Sequence, residues 1–113
     1  MTGRFQIGKL RIPVQLLHVT LVDSEEYGQR IEHETPFDTD FADIASAGGG
    51  QYETADQMRA SSARSVVMRY REDLGPNDRI RNLETGEVIN VIAPPRDPDG
   101  RRRWLEIDGM VQA

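Results

Sequence analysis

The sequence predicts a mainly β fold: a small antiparallel barrel or sandwich of about six strands, with one short helix in a long inserted loop. Three observations point there. Apolar and polar residues alternate with period two over several short runs. Turn-forming clusters such as Gly75-Pro76-Asn77 and Leu83-Glu84-Thr85-Gly86 separate those runs. One stretch, residues 45–64, fits no strand and opens on Ser46-Ala47-Gly48-Gly49-Gly50.

The first strand is expected over residues 10–22. Leu10, Ile12, Val14, Leu16 and His18 alternate with Arg11, Pro13, Gln15, Leu17 and Val19. The second set turns apolar towards its end, so the strand is expected to become covered on both faces. Pro13 has no N–H for a ladder, which places that part of the strand at an edge or a bulge. Residues 23–28 carry turn chemistry.

The second strand is expected over residues 31–41. Ile31, His33, Thr35, Phe37, Thr39 and Phe41 fall on one face, and Glu32, Glu34, Pro36, Asp38 and Asp40 on the other. The reading is an apolar inner face and a strongly acidic outer one, with Pro36 again marking an edge or a bulge.

The excursion holds Thr54-Ala55-Asp56-Gln57, the pattern of a capping box. A helix of about two turns is expected over residues 55–63, too short to stand alone. The glycine run reads as a hinge. A β domain of this size that spends so much chain on one excursion generally uses it for contact.

The remaining strands are expected over residues 65–71, 78–82, 87–92 and 103–111. The fourth and fifth form a hairpin around Leu83-Glu84-Thr85-Gly86. Residues 94–100 form a loop tip, and the last strand turns Leu105 and Ile107 inward. Trp104 is expected to close the core.

The chain of 113 residues is read as one domain, residues 1–113. It has no cysteine, hence no disulfide framework and no thiolate metal site. No stretch approaches the ~20 apolar residues of a membrane span, and no signal peptide is expected. The reading is a soluble protein that acts where it is made. The net charge of −5 argues against a dedicated nucleic-acid binder. Its distribution is uneven: acids crowd residues 23–43, whereas Arg96, Arg101, Arg102 and Arg103 gather at a loop tip. These are two solvated surfaces, or opposite poles that meet between neighbouring copies.

Several chemistries fail on inspection. Asp38-Thr39-Asp40-Phe41-Ala42-Asp43 lacks the glycine and glutamate that a calcium loop needs at its sixth and twelfth positions, where Asp43 and Gly49 stand. His18 and His33 lie on separate strands without a patterned third ligand. Ser46, Ser61, Ser62 and Ser65 have no triad spacing. The glycine run lacks the Gly-Lys-Ser/Thr ending of a phosphate loop. Arg101-Arg102-Arg103-Trp104 is the best candidate for contact with nucleic acid, but the run is short and the chain acidic. No catalytic residue, cofactor or metal is expected.

The order of features resembles a known family. Ile7-Gly8-Lys9-Leu10-Arg11 leads into the first strand, and Glu26-Tyr27-Gly28-Gln29 forms the next turn. Phe41-Ala42-Asp43-Ile44, an excursion rich in Ala and Gln, and Val67-Met68-Arg69-Tyr70-Arg71 follow. Gly75-Pro76-Asn77-Asp78-Arg79-Ile80 then precedes a glycine hairpin. Over essentially the whole chain this series resembles the head-tail joining proteins of tailed bacteriophages, also called head-closure or stopper proteins. Gene-transfer particles and defective prophages carry related parts. The chain departs from that pattern at Glu34-Thr35-Pro36-Phe37, where the family usually carries a tryptophan, and in its longer glycine run.

The resemblance implies a structural connector and not an enzyme. Its subunits would form a ring, of about six or twelve copies, between the portal-adaptor complex and the tail. The ring would retain packaged DNA, which passes through the lumen without sequence-specific binding, and offer the platform for the tail terminator or tail tube protein. The protein would sit in a virion or phage-like particle made in the bacterial host cytoplasm. In such proteins the long excursion tends to face the channel or a neighbouring subunit, which here singles out Ala47, Gly48, Gly49, Gly50, Gln51, Tyr52 and Arg59. The acids Glu32, Glu34, Asp38 and Asp40 would line the lumen or face the adaptor. The alternatives are a tail-terminator or minor tail subunit, and a stand-alone OB-like barrel that binds nucleic acid.

Overall fold

A computed structural model describes residues 10–24, 28–46 and 62–112. Six strands run in chain order: β1 (Ile12–Asp23), β2 (Arg30–Ser46), β3 (Ala63–Arg69), β4 (Arg79–Asn82), β5 (Val88–Val91) and β6 (Trp104–Val111). All neighbours are antiparallel. The order β1-β2-β3-β6-β5-β4 returns on itself, so the sheet closes into a ring, a small barrel. The mainly β architecture expected from the alternation is the one observed, and closure favours the barrel over the sandwich. No helix lies among the described residues. The expected helix over residues 55–63 falls outside them except at its end, where Ala63 is already strand. The excursion is also shorter than residues 45–64: Ala45 pairs with Ser65 and Ser46 with Arg64.

Apolar side chains from all six strands meet in the centre. Val14 and Leu16 of β1, Ala42 of β2, Val66 and Met68 of β3, Ile80 of β4, Ile89 and Val91 of β5, and Leu105 and Ile107 of β6 form a single buried cluster. The period-two spacing puts these residues on one face of each strand. β6 continues the inward series with Gly109 instead of a side chain. A Cβ there would collide with the Ile89 side chain and come within 3.0 Å of the Asn90 carbonyl oxygen, so only glycine lets β5 approach. Trp104 alternates with Leu105 and is only half-buried; it takes the opposite face from the core, which corrects the expectation that it closes the core.

Turn residues set the connections. Buried Asn82 accepts the N–H groups of Glu84 and Thr85 through Oδ1. Gly86, at φ +81°, then completes the β4–β5 hairpin. Asn77, at φ 73°, donates its N–H to Val91 O and brings the β3–β4 connection against β5.

A register shift in the β1–β2 ladder decides the chemistry of β2. Leu16 pairs with Asp38, yet Leu17 pairs with Pro36, leaving Phe37 as the extra residue of a bulge. One extra residue exchanges the faces of everything beyond it. Asp38, Asp40 and Ala42 lie opposite Leu16, Val14 and Ile12, on the core side. Glu34 and Glu32 lie opposite Val19 and Leu21, on the other side. The single acidic outer face read from the alternation is therefore divided between two faces. The apolar set is divided with it: Phe41 and Ile31 are each 55% exposed. β1 is covered on both faces only in its middle, at Leu16 and Leu17; towards its end, where such cover was expected, it leaves the barrel and Leu21 and Val22 are exposed.

Candidate functional site

β1 and β2 outrun the barrel. β4 pairs only with residues 14–17 of β1, and β3 only with residues 42–46 of β2. Past Leu17 in β1 and before Ala42 in β2 the two strands pair, among the described residues, only with each other. They form a two-stranded ribbon whose part past Leu17 reaches about 20 Å at ~3.4 Å per residue. A lone ribbon of this kind is marginal in water, so what holds its base matters.

Two arginines hold it. Arg79 of β4 is buried. Its Nη1 donates to Glu34 Oε2 at 2.6 Å, its Nη2 to Glu32 and its Nε to Asn90 Oδ1 at 2.8 Å. The Glu34 carboxylate, followed by Glu32, pushes the Arg79 pKa up despite burial. Arg71, on the connection after β3, donates to Asp38 at 2.6 Å, Asp40 at 3.0 Å and Asp73 at 2.6 Å. Asp73 and Asp38 in turn raise the Arg71 pKa, and Arg71 holds both carboxyls below the usual carboxylate range. Between the two clasps, the bulge residue Phe37 stacks on His18, with ring centroids 3.7 Å apart and planes 8° from parallel. His18 Nδ1 sits 3.2 Å from Asp78 Oδ2, which also accepts the Gly75 N–H. The Arg71 guanidinium lies 5.8 Å from the Phe37 ring centroid.

All four acids singled out in β2 thus have partners in the same chain. Glu32 and Glu34 pair with Arg79, and Asp38 and Asp40 with Arg71. Asp38 and Asp40 also turn back on their own strand, accepting the N–H groups of Thr39 and Phe41 at 2.8 Å. The alternation marked the acids but carried no sign of the two arginines, which come from segments distant in sequence.

The basic loop tip is largely matched by acids as well. Arg96 bridges to Asp108 at 2.6 Å and Glu106 at 3.5 Å, and Arg103 to Asp99 at 2.6 Å. Arg102, at φ 57°, donates its N–H to Asp97 and lies 3.9 Å from Glu72. The Arg101 N–H binds Asp99 Oδ1. Arg103 lowers the Asp99 pKa, and Arg96 lowers that of Asp108. Such pairing weakens the positive potential that a phosphate backbone would meet. The loop residues Ala47, Gly48, Gly49, Gly50, Gln51, Tyr52 and Arg59 lie outside the described residues.

Large apolar side chains are exposed at Phe41, Leu83 and Ile92 and, grouped together, at the far end of the ribbon. Leu21 is 60% exposed, Val22 51% and Ile31 55%. Val22 and Ile31 pair directly and share a face, while Leu21 occupies the other. Beside β1 a groove of about 830 Å³ runs between the ribbon and β5, lined by Val19, Leu21, Asn77, Asn90 and Ile92 among others. Among the described residues no group of His, Cys, Asp and Glu could hold a metal ion, and no helix is long and apolar enough to cross a membrane. The arrangement is one of rigid anchoring and surface presentation.

A family model described as phage head completion protein matches residues 5–109. The chain belongs to that family. As a phage head completion protein it has a head-closure role in the phage particle, among other head and tail proteins, and its family is structural. It is also similar in fold to the solution structure of protein SF1141 from Shigella flexneri 2a. That likeness has a TM-score of 0.66 at 21% identity and covers 96% of this chain and 98% of that one. No curated protein matches.

Proposed function

We propose that this phage head completion protein is a ring-forming connector subunit. Its copies assemble between the portal-adaptor complex and the tail, hold packaged DNA in the head and present the surface on which the tail docks. The observation that carries this reading is the clasped ribbon. A family member whose body is a closed barrel spends two arginines and four acids on holding one arm outward. That arm exposes Leu21, Val22 and Ile31 near its end, which fits a part that works by contact with its neighbours. Residues 47–52 and Arg59 serve, on the family resemblance, as a second contact towards the channel or an adjacent copy. A tail-terminator or minor tail subunit is the second reading, since the same arm would suit either position.

The test is genetic and structural. Particles assembled without this chain should package DNA and then lose it, and should lack tails. Particles that keep their DNA and carry tails in its absence refute the connector role. Deleting Gly48 to Gly50 should reproduce the DNA loss while the isolated domain stays folded; full infectivity after that deletion removes the loop from the mechanism.

A further inference from the structure

Among the described residues the ribbon carries two open strand edges, and they are complementary. In β1 the even residues face β2, as the Ser24 N–H to Gln29 O bond shows, and the odd residues face the β4 side, as Leu83 N–H to Pro13 O shows. β4 ends opposite Leu17. Past it the outward backbone groups of Val19, Leu21 and Asp23 meet no strand among the described residues. On β2 the outward groups of the ribbon belong to Arg30, Glu32 and Glu34, which pair across to Asp23, Leu21 and Val19. The two open stretches therefore stand level, one on each side of the ribbon.

The rest of the β2 edge is blunted. Pro36 has no N–H, and Asp38 and Asp40 cap the amides of Thr39 and Phe41. Among the described residues of β2, where 42–46 already pair with β3, this leaves residues 30–34 able to accept a strand.

We propose that the ribbon edges pair between copies of this chain, residues 19–23 of β1 in one copy against residues 30–34 of β2 in the next. This rests on the ring-forming reading and names its contact. Copies in a ring share one direction along the axis. Side-by-side ribbons then meet β1 to β2 and antiparallel, the same relation that joins the two strands within a copy. Asp23, which pairs with Arg30 at 3.4 Å within the chain, meets the Arg30 of the neighbour in the same way. The Val22–Ile31 face continues across the junction and covers apolar surface that one copy leaves in water. The groove beside Val19 and Leu21 receives the incoming strand. Because the two edges differ, the contact is heterologous and propagates from copy to copy until the rotation closes.

The test uses the full chain in solution, by sedimentation at rising concentration. Leu21→Pro removes an outward amide of β1, and Arg30→Pro one of β2; neither N–H belongs to the ladder inside the ribbon. The wild type should associate, and each variant should remain a monomer. An equimolar mixture of the two should give a dimer and nothing larger, because each variant retains the edge that the other lacks. Leu21→Lys replaces Leu21→Pro if the proline variant melts early. A wild type that stays monomeric, variants that associate like the wild type, or an oligomer that accepts both variants overturns the pairing. Mutual rescue to larger assemblies does the same. None of these outcomes touches the DNA-retention phenotype, so the pairing and the connector role fail separately.

Discussion

Arg79 donates to Glu34 at 2.6 Å across an intervening strand. Arg79 is rooted in β4, which has no backbone ladder to β2, so side chains fasten the two strands across β1: Arg79, with Arg81 as a weaker second contact to Glu34 at 3.6 Å. Glu34→Gln should weaken that tie and lower unfolding stability by about 1–2 kcal/mol, since Glu34 is partly exposed and Arg79 keeps Glu32 and Asn90. Arg79→Ala should cost more, because it takes Arg79 from both acids, leaves Glu34 only the longer contact to Arg81, and opens a gap beside Leu17. Urea unfolding midpoints of the two variants give the comparison; equal stability of Arg79→Ala and wild type would show the clasp to be idle.

The bulge residue Phe37 is held by its stack on His18. Phe37→Ala should cost about 1–3 kcal/mol, from lost apolar burial and a lost aromatic pair. It should also increase amide exchange at Asp38 and Thr39 ahead of global unfolding. Exchange that accelerates uniformly along β2 would place the anchoring elsewhere.

Acid should loosen the same region. Arg71 lowers the pKa values of Asp38 and Asp73 in the folded protein. Their contribution to stability is present above the ordinary carboxylate pKa of about 4 and is lost as pH falls through the lowered folded values. Arg103 with Asp99 and Arg96 with Asp108 act with the same sign. Stability should therefore drop as pH descends from about 5 towards 2, and Arg71→Gln should flatten part of that slope. Chemical denaturation of both proteins across this range reads it out; parallel slopes would exclude Arg71 as the cause.

Gly109 stands where Ile89 and the Asn90 carbonyl leave no room for a Cβ. Ile89 is fully buried and has no space to yield. Gly109→Ala should cost about 1–3 kcal/mol through overpacking, and Gly109→Val should cost more and threaten closure between β5 and β6. Thermal melts decide it; an unchanged midpoint for Gly109→Ala would mean that the ladder relaxes freely.

The strand runs were legible because period-two alternation follows directly from the pleat. β4 and β5 emerged within a residue or so of their expected spans, helped by the glycine hairpin between them. Pro36 correctly marked a bulge, since a missing N–H limits where a strand can pair; Pro13 lies in an unbroken stretch of the β1–β2 ladder, one residue past the end of the β4 pairing. Trp104 was misplaced because its size suggested burial, whereas its position in the alternation with Leu105 put it on the outer face. β2 was the larger error. Its acids alternate without a break in sequence; Pro36 pointed to an edge or a bulge, but nothing in residues 31–41 chose between the two or singled out Phe37 as the extra residue.

Local pattern alone established the strand-rich class, the turns, the lack of cysteine chemistry and a resemblance to phage head-completion parts. These depend on neighbours a few positions apart. The closed order of strands, the division of the acidic face and the arginine clasps required the folded chain. Register is a relation between segments, and residues such as Glu32 and Arg79 meet only after the sheet has closed. The open edges of the ribbon belong to the same category: an unpaired amide is defined by the strand that is missing beside it.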